Sequence, residues 1–149
     1  MILTVHLLTG AALVSKIQPI PLALFLAFLS HYFLDFLPHP DEYSIRNIKE
    51  KRWRKSFFDF LKIGIDIFIG LLIIFILAGK QPIIYAGAFL AILPDFFTFL
   101  GIIFSNKLWW HNDEFHEKIH FTKYQKISFF WRFFIQLIVF IIALLLLVF

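Results

Sequence analysis

Five apolar runs alternate with two polar stretches along this chain. The runs cover residues 1–15, 17–37, 57–79, 82–104 and 127–149, and the polar stretches cover 39–56 and 105–126. At 1.5 Å of rise per helical residue, the last four runs cross or nearly cross a hydrocarbon layer of about 30 Å, and the first reaches part of the way. Pro19 and Pro21 suit a turn and the opening of the second helix, Pro38 and Pro40 stop that helix, and Pro82 opens the fourth. Residues 1–15 have no Lys or Arg ahead of the apolar run and no small-residue cleavage pattern. They read as a retained first helix, paired with the second through residues 16–21. The pattern predicts one integral membrane domain over residues 1–149. Its expected form is an all-α polytopic bundle of four to five transmembrane helices, with an interfacial cytoplasmic helix in the second polar stretch.

Composition removes the soluble alternative. Apolar residues make up 60% of the 149 and charged residues 16%, against the roughly 25% charge usual in soluble domains. A folded chain of this size still exposes roughly a third of its unfolded surface, more than so little charge covers. The absence of cysteine excludes a disulfide framework, a thiolate zinc site and a cysteine nucleophile, so any metal must be held by His, Asp or Glu.

The charge balance is basic, with 14 Lys and Arg against 10 Asp and Glu and a pI near 9.4. Its placement matters more than its size. Of the basic residues, only Lys16 and Lys80 fall away from the two polar stretches and the helix ends that adjoin them. By the positive-inside rule both polar stretches and the amino terminus face the cytoplasm, in a cytoplasmic (inner) membrane. The basic surplus then reads as topology and contact with the lipid bilayer, and no nucleic-acid partner is expected. Trp53, Trp109, Trp110 and Trp131 lie beside the same boundaries, where interfacial anchors belong.

Ionisable residues inside the apolar runs carry the chemistry. They are His6, His31, Asp35, Asp59, Asp66 and Asp95. Each disfavours insertion by about 2.5 to 3.5 kcal/mol if charged at mid-bilayer, which makes it a candidate for function. Counted from the cytoplasmic helix ends, His6, His31, Asp66 and Asp95 lie roughly 8 to 14 Å deep, as a shared buried site requires. His31 and Asp35, four apart, share a helix face and suit one ion, or a ligand and its supporting partner; a hydrogen-bonded pair that locks helices is the structural alternative. For His6 the alternative is a core histidine bonded to a backbone carbonyl. His39, past the Pro38 break, is in reach of the same face. Asp95 follows Pro94 within a helix, where the freed backbone carbonyl calls for a polar neighbour. Asp66 reads either as a further ligand or as a partner of Lys62 one turn away, and Asp59 as a solvated boundary residue.

The second polar stretch holds His111 and then His116-Glu117-Lys118-Ile119-His120, an H-E-x-x-H pattern. Two histidines one turn apart can hold zinc, and in metallopeptidases the glutamate is the general base. Asp113, Glu114 and Lys118 make this helix polar, so an interfacial helix whose histidines face headgroups is the alternative.

Taken in order, His6-x-x-x-Gly10, Phe28 to Asp35 with Pro38-His39, Leu93-Pro94-Asp95 and the late histidine pair resemble the small inner-membrane metal-dependent hydrolases, which are similar at a distance to zinc-dependent phospholipase C. The resemblance implies a helical bundle and a divalent metal, zinc above all, at ligand positions His6, His31, Asp35, Asp95, His116 and His120. It also implies hydrolysis of an ester or phosphoester, with a lipid as one such substrate. Asp35, Asp95 or Glu117 is expected to take the proton from a metal-bound water. The chain departs from that group in lacking the arginine-histidine element after the Pro-Asp motif and an evident Ser, Cys or Lys nucleophile. Two other readings remain open: a non-catalytic scaffold or metal-binding protein, and an intramembrane zinc peptidase built on His116 to His120.

Overall fold

The computed structural model describes residues 1–40, 52–104 and 127–149. Among these, every regular element is a helix: α1 (Leu3–Lys16), α2 (Ile20–Phe36), α3 (Trp53–Ala78), α4 (Pro82–Phe104) and α5 (Phe129–Val148). Three of them, α3, α4 and α5, are long and apolar enough to cross a membrane. At 14 and 17 residues, α1 and α2 fall short of the roughly 20 a span requires. The second apolar run is trimmed because Pro19 is the cap ahead of α2 and Leu37, extended before Pro38, is the cap behind it. The interfacial helix expected in residues 105–126 lies outside the described residues.

The surface is inside-out relative to a soluble protein. Phe25, Phe33, Phe68, Ile76, Phe130 and Phe149 are all more than half exposed, and burial in the three long helices is confined to narrow stripes. Hydrocarbon is the surrounding that makes such a surface stable.

The shortest helix is the hub of the bundle. All four other helices pack on α1, and Val5, Leu7, Leu8 and Ala11 are fully enclosed. A helix apolar all round is stable only in that position. Small residues set how closely it is approached. A Cβ on Gly10 would collide with the backbone of Gly87 in α4, and one on Gly87 with the Gly10 carbonyl and the Val14 side chain. This is the close crossing that glycine permits between membrane helices. Gly79, at φ 66°, ends α3 at a positive φ that a residue without a Cβ adopts freely; its carbonyl accepts the Tyr85 hydroxyl at 2.9 Å. At this end Ile74, Ala88, Ala143 and Leu147 close around Leu8 and Ala12.

At the other end, where Arg52, Arg54, Lys55, Lys62 and Arg132 lie, the helices are uneven. Asp66 of α3 and Gln136 of α5 both meet the amino end of α1. Roughly 20 Å of α3 and 10 Å of α5 therefore extend beyond α1 toward the basic end. Asp66 thus sits near the middle of α3, deeper than a helix opening at residue 57 implies, because α3 begins at Trp53. The carboxyl-terminal end of α2 lies beside the amino end of α1, so both short helices stop at the depth where Asp66 lies.

Candidate metal centre

Four of the ionisable side chains picked out in the sequence meet where α1 and α2 end. His31 and Asp35 lie one turn apart on α2, with His31 Nε2 3.1 Å from Asp35 Oδ2. From α1, His6 brings Nε2 to 3.1 Å from Asp35 Oδ1 and its ring to a centroid distance of 4.5 Å from that of His31. From α4, Asp95 places Oδ1 3.6 Å from His31 Nε2. One ligand atom from each of His6, His31 and Asp95 falls within 4.8 Å of the others. Bonds of about 2 Å to a common ion place ligand atoms 3 to 4 Å apart.

The tautomer of His31 follows from its second nitrogen. Nδ1 lies 2.7 Å from the carbonyl oxygen of Ala91, and a carbonyl can only accept, so Nδ1 carries a proton and donates it. Nε2 then faces two carboxylates. A proton held between Nε2 and a carboxylate, or a metal ion at its lone pair, would each satisfy that arrangement.

His6 bears on the same question. Its Nδ1 has no hydrogen-bond partner among the described residues and its Nε2 has only the ion-pair contact with Asp35 at 3.1 Å, although both are fully buried. Leaving a buried polar atom unsatisfied costs about 1 to 3 kcal/mol, and one proton on His31 does nothing for His6. An ion shared by His6, His31 and a carboxylate satisfies both rings. The backbone-carbonyl contact that a core histidine would make here is not what His6 has.

Around this core, Asp35 is the organising acid. Its Oδ1 lies 2.8 Å from the α-amino nitrogen of Met1 and 3.8 Å from His39 Nε2. His39 Nδ1 donates to the carbonyl of Pro40 at 3.0 Å, and the Met1 nitrogen sits 3.3 Å from His39 Nε2. The Pro38 break thus folds His39 back over the end of α2. Asp35 is 1% exposed, His6 and His31 are fully buried, and Asp95 is 31% exposed. Asp95 is therefore the acid of the four that an incoming molecule can reach.

The structure gives Asp66 a role that neither sequence reading named. It accepts the Leu3 amide at 2.6 Å and the Thr4 amide at 3.3 Å, and the Thr4 hydroxyl reaches its carboxylate and its backbone carbonyl. A side chain of α3 thus caps the amino end of α1, where Ile2 at the N-cap position supplies no side-chain acceptor. Asp59 is buried, not solvated as its boundary position implied.

Three partners of the site went unnoticed in the sequence. The Ala91 carbonyl was signalled only through Pro94, three residues on. The Met1 nitrogen carries no sequence pattern. Gln136, the lone uncharged polar residue deep in the last apolar run, was a readable signal; its Oε1 accepts the Ile2 amide at 3.4 Å. His111, His116, Glu117 and His120 lie outside the described residues. Segments 27–35 and 88–95, which look faintly alike in sequence, supply the two faces that meet at His31. Comparison of the chain with known protein families, curated proteins and solved structures finds no match.

Proposed function

We propose that this protein is a membrane-embedded metal-dependent hydrolase acting on an ester or phosphoester at the cytoplasmic face of a cytoplasmic membrane. The observation that supports it most directly is the convergence of buried His6 and His31 with Asp95, where His6 Nδ1 has no partner among the described residues and His31 Nε2 faces Asp35 and Asp95. His6, His31 and Asp95, whose ligand atoms converge, would hold the ion and leave a fourth position for water, and the all-nitrogen-and-oxygen donor set suits zinc. Such an ion lowers the pKa of a bound water toward about 7 and stabilises negative charge developing on a carbonyl or phosphoryl oxygen.

The chain's own residues divide the remaining work. The Ala91 carbonyl orients the His31 ring. Asp35, held by the Met1 nitrogen and His39, fixes His6 and His31 relative to one another. Asp95, the partly exposed acid, is positioned to take a proton from the attacking water and return it to the leaving group.

The test is metal content and turnover in the purified, detergent-solubilised chain. About one equivalent of zinc or a similar divalent ion per chain is expected, with hydrolysis of p-nitrophenyl acetate or bis-p-nitrophenyl phosphate lost on chelation and restored by metal. An absence of stoichiometric ion would refute the metal site. An ion without turnover would leave a metal-binding membrane protein and refute the hydrolase.

A further inference from the structure

Two basic side chains lie at one level just past the amino end of α1. On α3, Lys62, Asp66 and Gly70 follow one another at four-residue steps, and the last two meet α1. Asp66 accepts the Leu3 and Thr4 amides, and a Cβ on Gly70 would collide with the Leu7 side chain. On α5, Arg132 and Gln136 head a stripe that continues at helical period through the buried Ala143, and Gln136 accepts the Ile2 amide. Lys62 and Arg132 are each one turn, about 6 Å, nearer the basic end than the residue that meets the start of α1. The helices α3 and α5 also touch one another, so the two cations flank the line of α1 where it stops.

Neither cation is paired. Lys62 is three residues from Asp59 and four from Asp66, yet it makes no ion pair among the described residues. It is exposed although it follows the row that faces α1, because α1 ends one turn above it. Arg132 is half-buried, and its Nε is enclosed with no acceptor among the described residues. An enclosed donor without an acceptor is costly, and more so on a cation inside an apolar run. Snorkelling carries the tip of an arginine to water but does nothing for an enclosed Nε. An acceptor brought to the inner edge of the guanidinium does.

The donors and their depth select that acceptor. The Nε–H and a neighbouring Nη–H form a parallel fork that matches two oxygens of one anion, and the Lys62 ammonium adds a compact charge to the same group. Arg132 lies about 5 Å inside the start of α5 and adjoins Trp131, an exposed aromatic of the kind that sits at headgroup level. Phosphate is the anionic group that a bilayer supplies at this depth, and basic pockets between transmembrane helices take it.

We propose that Lys62 and Arg132 form a phosphate site between α3 and α5, which binds the phosphate of a membrane phospholipid or of a soluble phosphate ester. Two donors of the guanidinium and the Lys62 ammonium hold it. None of the metal-centre residues takes part, so this site stands or falls apart from the hydrolase reading.

The full chain in neutral detergent tests it with three probes: phosphatidylglycerol and diacylglycerol, read by native mass spectrometry, and glycerol 3-phosphate, read by calorimetry. The parent is expected to retain phosphatidylglycerol and to release diacylglycerol of the same acyl chains, which carries no phosphate. Arg132→Gln and Lys62→Gln should each weaken binding by about tenfold or more. Arg132→Lys, which keeps the charge and loses the fork, should recover only part of that loss. Lys80→Gln, at the opposite end of the bundle, should bind as the parent does. Because Lys62 is exposed, Lys62→Gln tests the pair even where Arg132→Gln fails to fold.

Glycerol 3-phosphate distinguishes the two sources. Its binding, with the same dependence on Lys62 and Arg132, identifies a soluble ester as a ligand, whereas retention of phosphatidylglycerol alone identifies the lipid. No binding of either phosphate probe, equal retention of diacylglycerol, unchanged binding in the folded glutamine variants or an equal loss in Lys80→Gln would each overturn the site. A chelator should leave binding unchanged even where it removes a metal ion and stops turnover. Binding lost together with the ion would put the phosphate on the metal and overturn the pair.

Discussion

The Nδ1–H of His31 donates to the carbonyl oxygen of Ala91 across the α2–α4 contact, at 2.7 Å. Ala91 lies three residues before Pro94, which is buried within α4. Proline has no amide hydrogen, so the carbonyl of Leu90 has no partner of the usual helical kind and the helix is loosened around it. The acceptor that orients the central histidine of the site is thus the carbonyl next to the one that the proline leaves without its helical partner.

Restoring that amide should disturb the ligand. Pro94→Ala is expected to weaken metal affinity by about 10- to 100-fold, the usual effect of losing a group that orients a ligand, while the helical content is kept. Competition with a chromogenic chelator measures this, and an unchanged affinity would show that Ala91 holds His31 without help from the proline.

Loss of the Asp66 cap should reduce stability without touching the ion. Asp66→Ala is expected to destabilise the bundle by about 1 to 2 kcal/mol, read as a lower midpoint of thermal unfolding in detergent, with metal content equal to that of the parent. Loss of metal in a folded Asp66→Ala would instead make Asp66 a ligand.

The crossing of α1 and α4 should tolerate no side chain. Gly10→Val and Gly87→Val are each expected to cost about 1 to 3 kcal/mol or more, because the collision is with backbone or with an enclosed Val14. Gly64→Ala, whose added Cβ meets nothing within 4 Å, should stay within about 1 kcal/mol of the parent. Equal effects at all three positions would mean that α1 and α4 do not cross there.

Orientation can be read chemically because the chain has no cysteine. Single cysteines at Lys80 and at Arg132 lie at opposite ends of the bundle. In intact cells a membrane-impermeant maleimide is expected to label the cysteine at 80 and spare the one at 132. The reverse pattern would invert the bundle.

The His116 to His120 pair has its own test. Glu117→Gln is expected to leave both metal content and ester turnover close to the parent, because the proposed ion is held by His6, His31 and Asp95. Abolished turnover with retained metal would favour the peptidase-like reading of that motif.

Membrane character, the all-helical fold and most of the bounds of the described helices were legible without coordinates. They depend on local quantities: the length of an apolar run, a proline at its start, a glycine at its end. The candidacy of His6, His31, Asp35 and Asp95 was legible for the same reason, since an ionisable group in hydrocarbon is costly wherever its partners lie.

Which of those groups meet was not legible, because it depends on how the helices rotate and slide against one another. Asp66 and Asp95 look alike in sequence, each an acid inside a long apolar run. Tertiary structure turns Asp95 toward His31 and Asp66 toward the bare amino end of α1. It also makes the short α1 the hub of the bundle, which permits its backbone to approach α4 at Gly10 and Gly87. The chain's local chemistry determined that buried polar groups must be satisfied; only the packing of α1 against its four neighbours decided which atoms satisfy them.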